Sequence, residues 1–382
     1  MTDTLITGDC EAAFANLRDV FAGSFSPDQE HPEVGASVCV YLKGRKVLDL
    51  WGGYCDRDRT RPWQRDTIVN MMSVGKGILA LCTHILVDRG QLDLDAPVAR
   101  YWPEFAQAGK GDLPVRYLLD HRAGLATVDE MYRGMAYDWE AMVRALERTR
   151  PMHPPGTTPC YHSITMGHLL GEVIRRISGQ GIGAFLATNV TNPLGLDYHF
   201  GLRDEDLPRC ADFLEDEGQG LADYLLANPD SLPARTFGPI AVDENFNSLE
   251  WRQSEVPSAN GHGNARALAK LYGALALGGE LDGVRIIGRE TLLRASAEQW
   301  EAPDLATGLR MRLGLGFRLG SADTPMGPNR AAFGSTGAGG AISFCDMDAG
   351  IGFGYAMNAK YPGLAVGPRT AALVDALYDC EF

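Results

Sequence analysis

Positive charge is scarce in this chain of 382 residues, where six lysines and 29 arginines stand against 49 acidic residues and the net charge is −14. A protein that tracks nucleic-acid phosphates needs clustered cations, so nucleic acid is excluded as a partner and an anionic membrane is disfavoured. Long apolar runs are missing too: the longest, Ile78 to Val87, is about half a membrane span and contains His84. The stretch Met1 to Leu17 holds acids and no apolar segment of signal-peptide length, so the expectation is a soluble protein that stays in the cytoplasm. No C-x-x-C pair occurs among the eight cysteines. That argues against a zinc knuckle or a thioredoxin-like site and for scattered free thiols in a reducing compartment. Internal repeats and low-complexity segments are lacking. So is a G-x-S-x-G elbow, because Phe333 occupies the first glycine's place ahead of Ser335. The glycine-rich stretch 334–340 lacks the lysine of a phosphate-binding loop. No metal and no cofactor are therefore expected.

What is present is ordinary globular composition, 45% apolar and 22% charged, over a length beyond the roughly 250–300 residues at which one core stops growing. The pattern predicts a β-hairpin from Ala36–Leu42 and Lys46–Trp51 across Lys43-Gly44-Arg45, then a buried helix from Ser73 to Gly90. From about 92 to 255 it predicts helices, including Trp139–Arg148 and Ile164–Ile177, and polar loops without sheet, with acid-rich Arg203–Glu217 as a solvated face or loop. Sheet returns after a helix at Ala265–Leu277, in Arg312–Leu319, Ala341–Asp346 and Gly350–Asn358, before a terminal helix at about Pro368–Leu377. The implied architecture is α+β: an antiparallel sheet flanked by helices, built from both termini (1–90 and 260–382), with a mostly helical cap (91–259) and a cleft between them.

The sharpest chemical signal is Ser73-Val74-Gly75-Lys76, the one S-x-x-K in the chain. Residues i and i+3 share a helix face, so the amine can reach the hydroxyl proton. Burial and the positive helix N-terminus both disfavour the ammonium form, which lets Lys76 act as a base. A second element, Pro154 to Ser163, is a proline-held turn that presents Tyr161, whose phenol could carry a proton between nucleophile and leaving group. The third, Phe333 to Gly340, has enough glycine to bring backbone N–H groups close to a ligand. His162 and His262 are read as surface or packing residues without a catalytic role.

In this order the three elements resemble the serine β-lactamase and penicillin-binding-protein superfamily, above all its class C branch and the family VIII carboxylesterases. The resemblance implies that Ser73 is acylated, that Lys76 and Tyr161 manage protons, and that the backbone N–H groups of Ser73 and Ala338 form an oxyanion hole. Ser163, Ser335, Thr336 and Gly337 would line the substrate. Ser163 stands where the Y-x-N element has asparagine, and Ser335 replaces the lysine of K-T-G. In lactam-cleaving relatives that asparagine holds the substrate's amide and that lysine its carboxylate. The expected activity is therefore hydrolysis of small uncharged carboxylic esters. Acyl transfer on the same scaffold, amide or β-lactam cleavage, and a non-catalytic binding role stand as alternatives. The oligomeric state is left open.

Overall fold

A two-residue turn at Lys43-Gly44, both at positive φ (49° and 83°), joins the strands Gly35–Leu42 and Arg45–Gly53, because its twist matches that of the paired strands. This hairpin seeds the main sheet. The computed structural model describes residues 6–381 except 130, 133, 216–220, 242–244 and 365. Among these the main sheet has nine strands, antiparallel throughout. In spatial order they are Ile6–Cys10, Arg45–Gly53, Gly35–Leu42, Ile351–Met357, Ile342–Asp346, Phe333–Thr336, Arg318–Leu319, Arg310–Leu313 and Trp300–Pro303. Both ends of the chain thus contribute to one sheet.

Helices cover both faces. On one, Ala15–Gly23 and Gly367–Tyr378 bury Leu17, Phe21, Leu373 and Leu377 against Val38, Phe344 and Phe353. On the other, Ala265–Ala276 lies on Ile351–Met357, and beyond it the apolar helix Gly75–Asp88 passes through the larger core with twelve of its residues buried. The helix Thr165–Ser178 packs against Gly75–Asp88 and ends at Gly179 in the left-handed conformation, as its sequence predicts.

Several elements differ from the sequence reading. Ile6–Cys10 is a strand although it shows little alternation, because it sits at the sheet edge with Thr7, Gly8 and Asp9 exposed. The middle of the chain is not without sheet, since Tyr198–His199 joins His262–Gly263 and Val69–Asn70 in a small sheet. Strands of two residues leave no period to read. Arg203–Glu217, expected as a solvated face or loop, is a 3-10 turn at Asp204–Arg209 followed by irregular chain to 215, and it is only partly solvated. Asp206 is buried and bonded to Arg209 at 2.6 Å, and Cys210, Ala211 and Phe213 are buried, while 216 and 217 lie outside the described residues. All eight cysteines are free thiols, six of them buried. No helix among the described residues is long and apolar enough to cross a membrane.

The helix Ala265–Ala276 reaches the sheet through glycine: a Cβ on Gly352 would stand 2.1 Å from the Gly273 nitrogen and 2.5 Å from the Ala269 carbonyl oxygen. Backbone on both sides leaves no side chain to give way. Gly352→Ala is therefore expected to lower stability by about 1–3 kcal/mol, the usual cost of overpacking, read as a shifted midpoint in urea unfolding.

Candidate active site

The catalytic-type pair sits where a short 3-10 turn, Met72–Val74, runs into the helix Gly75–Asp88. Ser73 does not cap that helix; its Oγ instead receives a hydrogen bond from Lys76 Nζ at 3.1 Å. Met72 immediately before it holds a positive φ of 47°, a conformation that costs a non-glycine residue roughly 1–3 kcal/mol, and Asn70 Oδ1 accepts the Met72 N–H at 3.1 Å. Strain at this joint leaves Ser73 partly exposed while Lys76 is only 4% exposed.

Lys76 makes two further hydrogen bonds, to the carbonyl oxygens of Ser163 at 2.8 Å and Ser258 at 2.7 Å. An ammonium has three N–H donors, and all three are taken. Burial drives the Lys76 amine below its ordinary value of 10.5; Tyr161 pulls it back in part and Arg318 pushes it further down.

Tyr161 brings its ring centre to 4.7 Å from Lys76 Nζ. Burial alone would raise its phenol, but the charges of Lys76 and Arg318 and the closeness of Ser73 and Lys76 outweigh it, leaving the phenol below its ordinary 10. The loop that carries it is laced to the segment 121–125. Cys160 N–H donates to the His121 carbonyl at 3.0 Å, and His162 N–H donates to His121 Nδ1 at 3.2 Å. Leu125 N–H donates to His162 Nε2 at 3.1 Å, so the ring proton of His162 sits on Nδ1 and is given to the Cys160 carbonyl at 2.7 Å. Both histidines therefore accept backbone N–H groups and are held neutral. His121 also packs its ring 4.8 Å from that of Tyr161 and, like Met72, has a positive φ, 63°.

Strand Phe333–Thr336 closes the site. Ser335 Oγ donates to the Ser73 carbonyl at 3.1 Å and accepts the Gly77 N–H at 3.3 Å, so its hydroxyl ties strand to helix. Gly337 lies so close to the segment before Ser73 that a Cβ on it would meet the Met71 carbonyl oxygen at 2.2 Å, which only glycine avoids. The next N–H, that of Ala338, has no acceptor among the described residues. Thr336 is 9% exposed. Ser163 contributes its carbonyl to Lys76, a contact independent of its side chain. His262 stands opposite Asn70 in the small sheet, its Nδ1 2.7 Å from the Asn260 carbonyl oxygen.

The chain that builds this site matches a known family over most of its length. The family model described as Beta-lactamase matches residues 21–377. The chain belongs to this family. Among curated proteins it is 32% identical over 363 residues to the Esterase/beta-lactamase LipL of Mycobacterium tuberculosis, covering 92% of this chain and 83% of that one. Among solved structures, a family VIII carboxylesterase superposes with a TM-score of 0.90 at 39% identity, covering 99% of this chain and all of that one. A penicillin-binding-protein homologue from Caulobacter crescentus superposes with a TM-score of 0.89 at 36% identity, again over 99% of this chain and all of its counterpart.

Within the family pattern, Ser258, His121 and Arg318 are site neighbours that the sequence reading did not single out. Ser258 acts through a carbonyl, which every residue has, so no side-chain signal could mark it. Arg318 lies in a segment read as strand, and its guanidinium stands 5.7 Å from the Tyr161 ring centre, a placement only the fold creates.

Burial holds His162 and His262 down to about 3 and His84 and His168 to about 4. The unfolded chain binds these protons from about pH 6.5 downward, whereas the folded one refuses them until pH 3–4. Their contribution is thus complete above pH 6.5 and is lost as the pH falls toward 4. Thermal midpoints measured from pH 7 to 4 should fall steadily; a flat profile would show that these rings are not held neutral.

Proposed function

We propose that the protein is a serine carboxylesterase that hydrolyses small carboxylic esters through an acyl-enzyme on Ser73. The observation that carries this reading is the placement of Lys76. In its neutral form the amine has two N–H bonds and a lone pair; the carbonyls of Ser163 and Ser258 take the two N–H bonds, and the lone pair is left for the Ser73 hydroxyl 3.1 Å away. Ser73 Oγ forms a bond to the ester carbonyl carbon as its proton passes to Lys76. The tetrahedral oxyanion is received by the N–H groups of Ser73 and Ala338. The carbon–oxygen bond to the alcohol then breaks, Tyr161 gives the departing oxygen its proton, and Lys76 returns one to the phenol. Water repeats the sequence and frees the acid. The relatives named as esterase and carboxylesterase support this chemistry. Tyr161 packs against the ring of Phe237, 6.1 Å between centres, in an apolar cluster that suits an uncharged ester.

Incubation with a fluorophosphonate should add its mass to Ser73, and Ser73→Ala should lose both the adduct and ester turnover; full activity in that variant would end the proposal. Tyr161→Phe is expected to lower kcat by roughly 10²–10⁴-fold, the span of general acid–base catalysis. Both Lys76 and Tyr161 are shifted below their ordinary values of 10.5 and 10. kcat/KM for a neutral ester should accordingly rise with pH as the pair loses its first proton and fall again as it loses the second, which Tyr161 needs as the acid, both midpoints belonging to the coupled pair.

A further inference from the structure

Every other described arginine that is buried or partly buried rests against a carboxylate, as Arg122 does on Asp120, Arg266 on Asp49 and Arg369 on Glu33. Arg318 does not. It is partly buried, and among the described residues no acid faces it, in a chain with 49 acidic residues to choose from. A guanidinium at the site with no carboxylate beside it is open to an anionic ligand.

Its position says what that is. The strand Arg318–Leu319 pairs with Phe333–Gly334, Arg318 standing opposite Gly334, one residue before Ser335. The guanidinium lies 5.7 Å from the Tyr161 ring centre, and its charge is felt at Tyr161, Lys76 and His121. Beyond the N–H groups assigned to the oxyanion, no other side chain described there offers a free positive charge. Lys76 has all three donors engaged, His121 and His162 are neutral, and Ser335 and Thr336 carry no charge.

We infer that Arg318 is a specificity residue that receives a carboxylate carried on the alcohol part of the ester. The inference rests on the reading above, in which Tyr161 protonates the departing oxygen, because that puts Arg318 on the side where the alcohol leaves. A planar guanidinium offers two parallel N–H donors that match a carboxylate. Uncharged esters pass through the same machinery without this contact. The favoured class is O-acylated hydroxy acids, whose products are a carboxylic acid and a free hydroxy acid.

The test compares 3-acetoxybenzoate with its methyl ester, which share the acetyl group and scissile bond and differ by one charge on the leaving group. The ratio of kcat/KM for the anionic over the neutral ester cancels any general effect of a substitution on Tyr161. In Arg318→Gln this ratio should fall about ten-fold or more, mainly through KM of the anionic ester, as the loss of one charged hydrogen-bond pair requires. Arg318→Lys should keep part of it, and high salt should reduce it in the parent protein. A ratio unchanged in Arg318→Gln overturns the inference. Should that variant not fold, inhibition of the parent protein decides: 3-hydroxybenzoate should compete more tightly than methyl 3-hydroxybenzoate, and equal inhibition overturns the role of Arg318. Fluorophosphonate labelling separates the two levels. An unlabelled Ser73 brings down the hydrolase reading and this inference together, whereas a labelled Ser73 with an unchanged ratio removes Arg318 alone.

Discussion

An amine taken out of water must have its donors met, and the burial of Lys76 is the constraint around which the rest of the site is arranged. Its partners lie 3, 87 and 182 residues away in sequence, at Ser73, Ser163 and Ser258. Three separately built segments, the start of the apolar helix, the loop bearing Tyr161 and the turn before the small sheet, are thereby held to one nitrogen. Because two of the contacts are carbonyls, they tolerate the neutral amine as readily as the ammonium. Burial then favours the neutral form, and the geometry that satisfies the lysine also aims it at the serine.

The surroundings add stiffness of a particular kind. Met72 and His121, two of the six described non-glycine residues with positive φ, border the site from opposite elements. Such strain persists only where neighbours over-determine it. Here the neighbours are the Asn70 side chain under Met72, the His162 ring stacked on His121, the His162 backbone N–H bonded to the His121 ring, and the Tyr161 ring packed against it. Ser335 completes the frame by bonding to both the Ser73 carbonyl and the Gly77 N–H. A neutral hydroxyl at this position secures the helix and leaves the positive charge of the site to Arg318, one strand away.

Much of this was legible in the chain. The helix after Ser73, the hairpin at Lys43-Gly44 and the glycine stop at Gly179 follow from periodicity and turn chemistry, which act over a few residues. The S-x-x-K spacing is equally local, so Ser73 and Lys76 could be paired from sequence alone. Tyr161 was reachable through its proline-held loop and the family resemblance. Short edge strands such as Ile6–Cys10 were not, because pairing with a neighbour rather than internal pattern makes them strands.

The sequence by itself determined that a hydroxyl and an amine share one turn of a buried helix, and that sheet forms at both ends of the chain. Only the tertiary structure decided which carbonyls complete the lysine, that Ser335 serves the helix, and that Arg318 faces Tyr161 without an acid. The physical reason is that periodicity and capping are written in neighbouring residues, whereas burial, charge pairing and donor satisfaction depend on groups that meet only when distant segments are packed together.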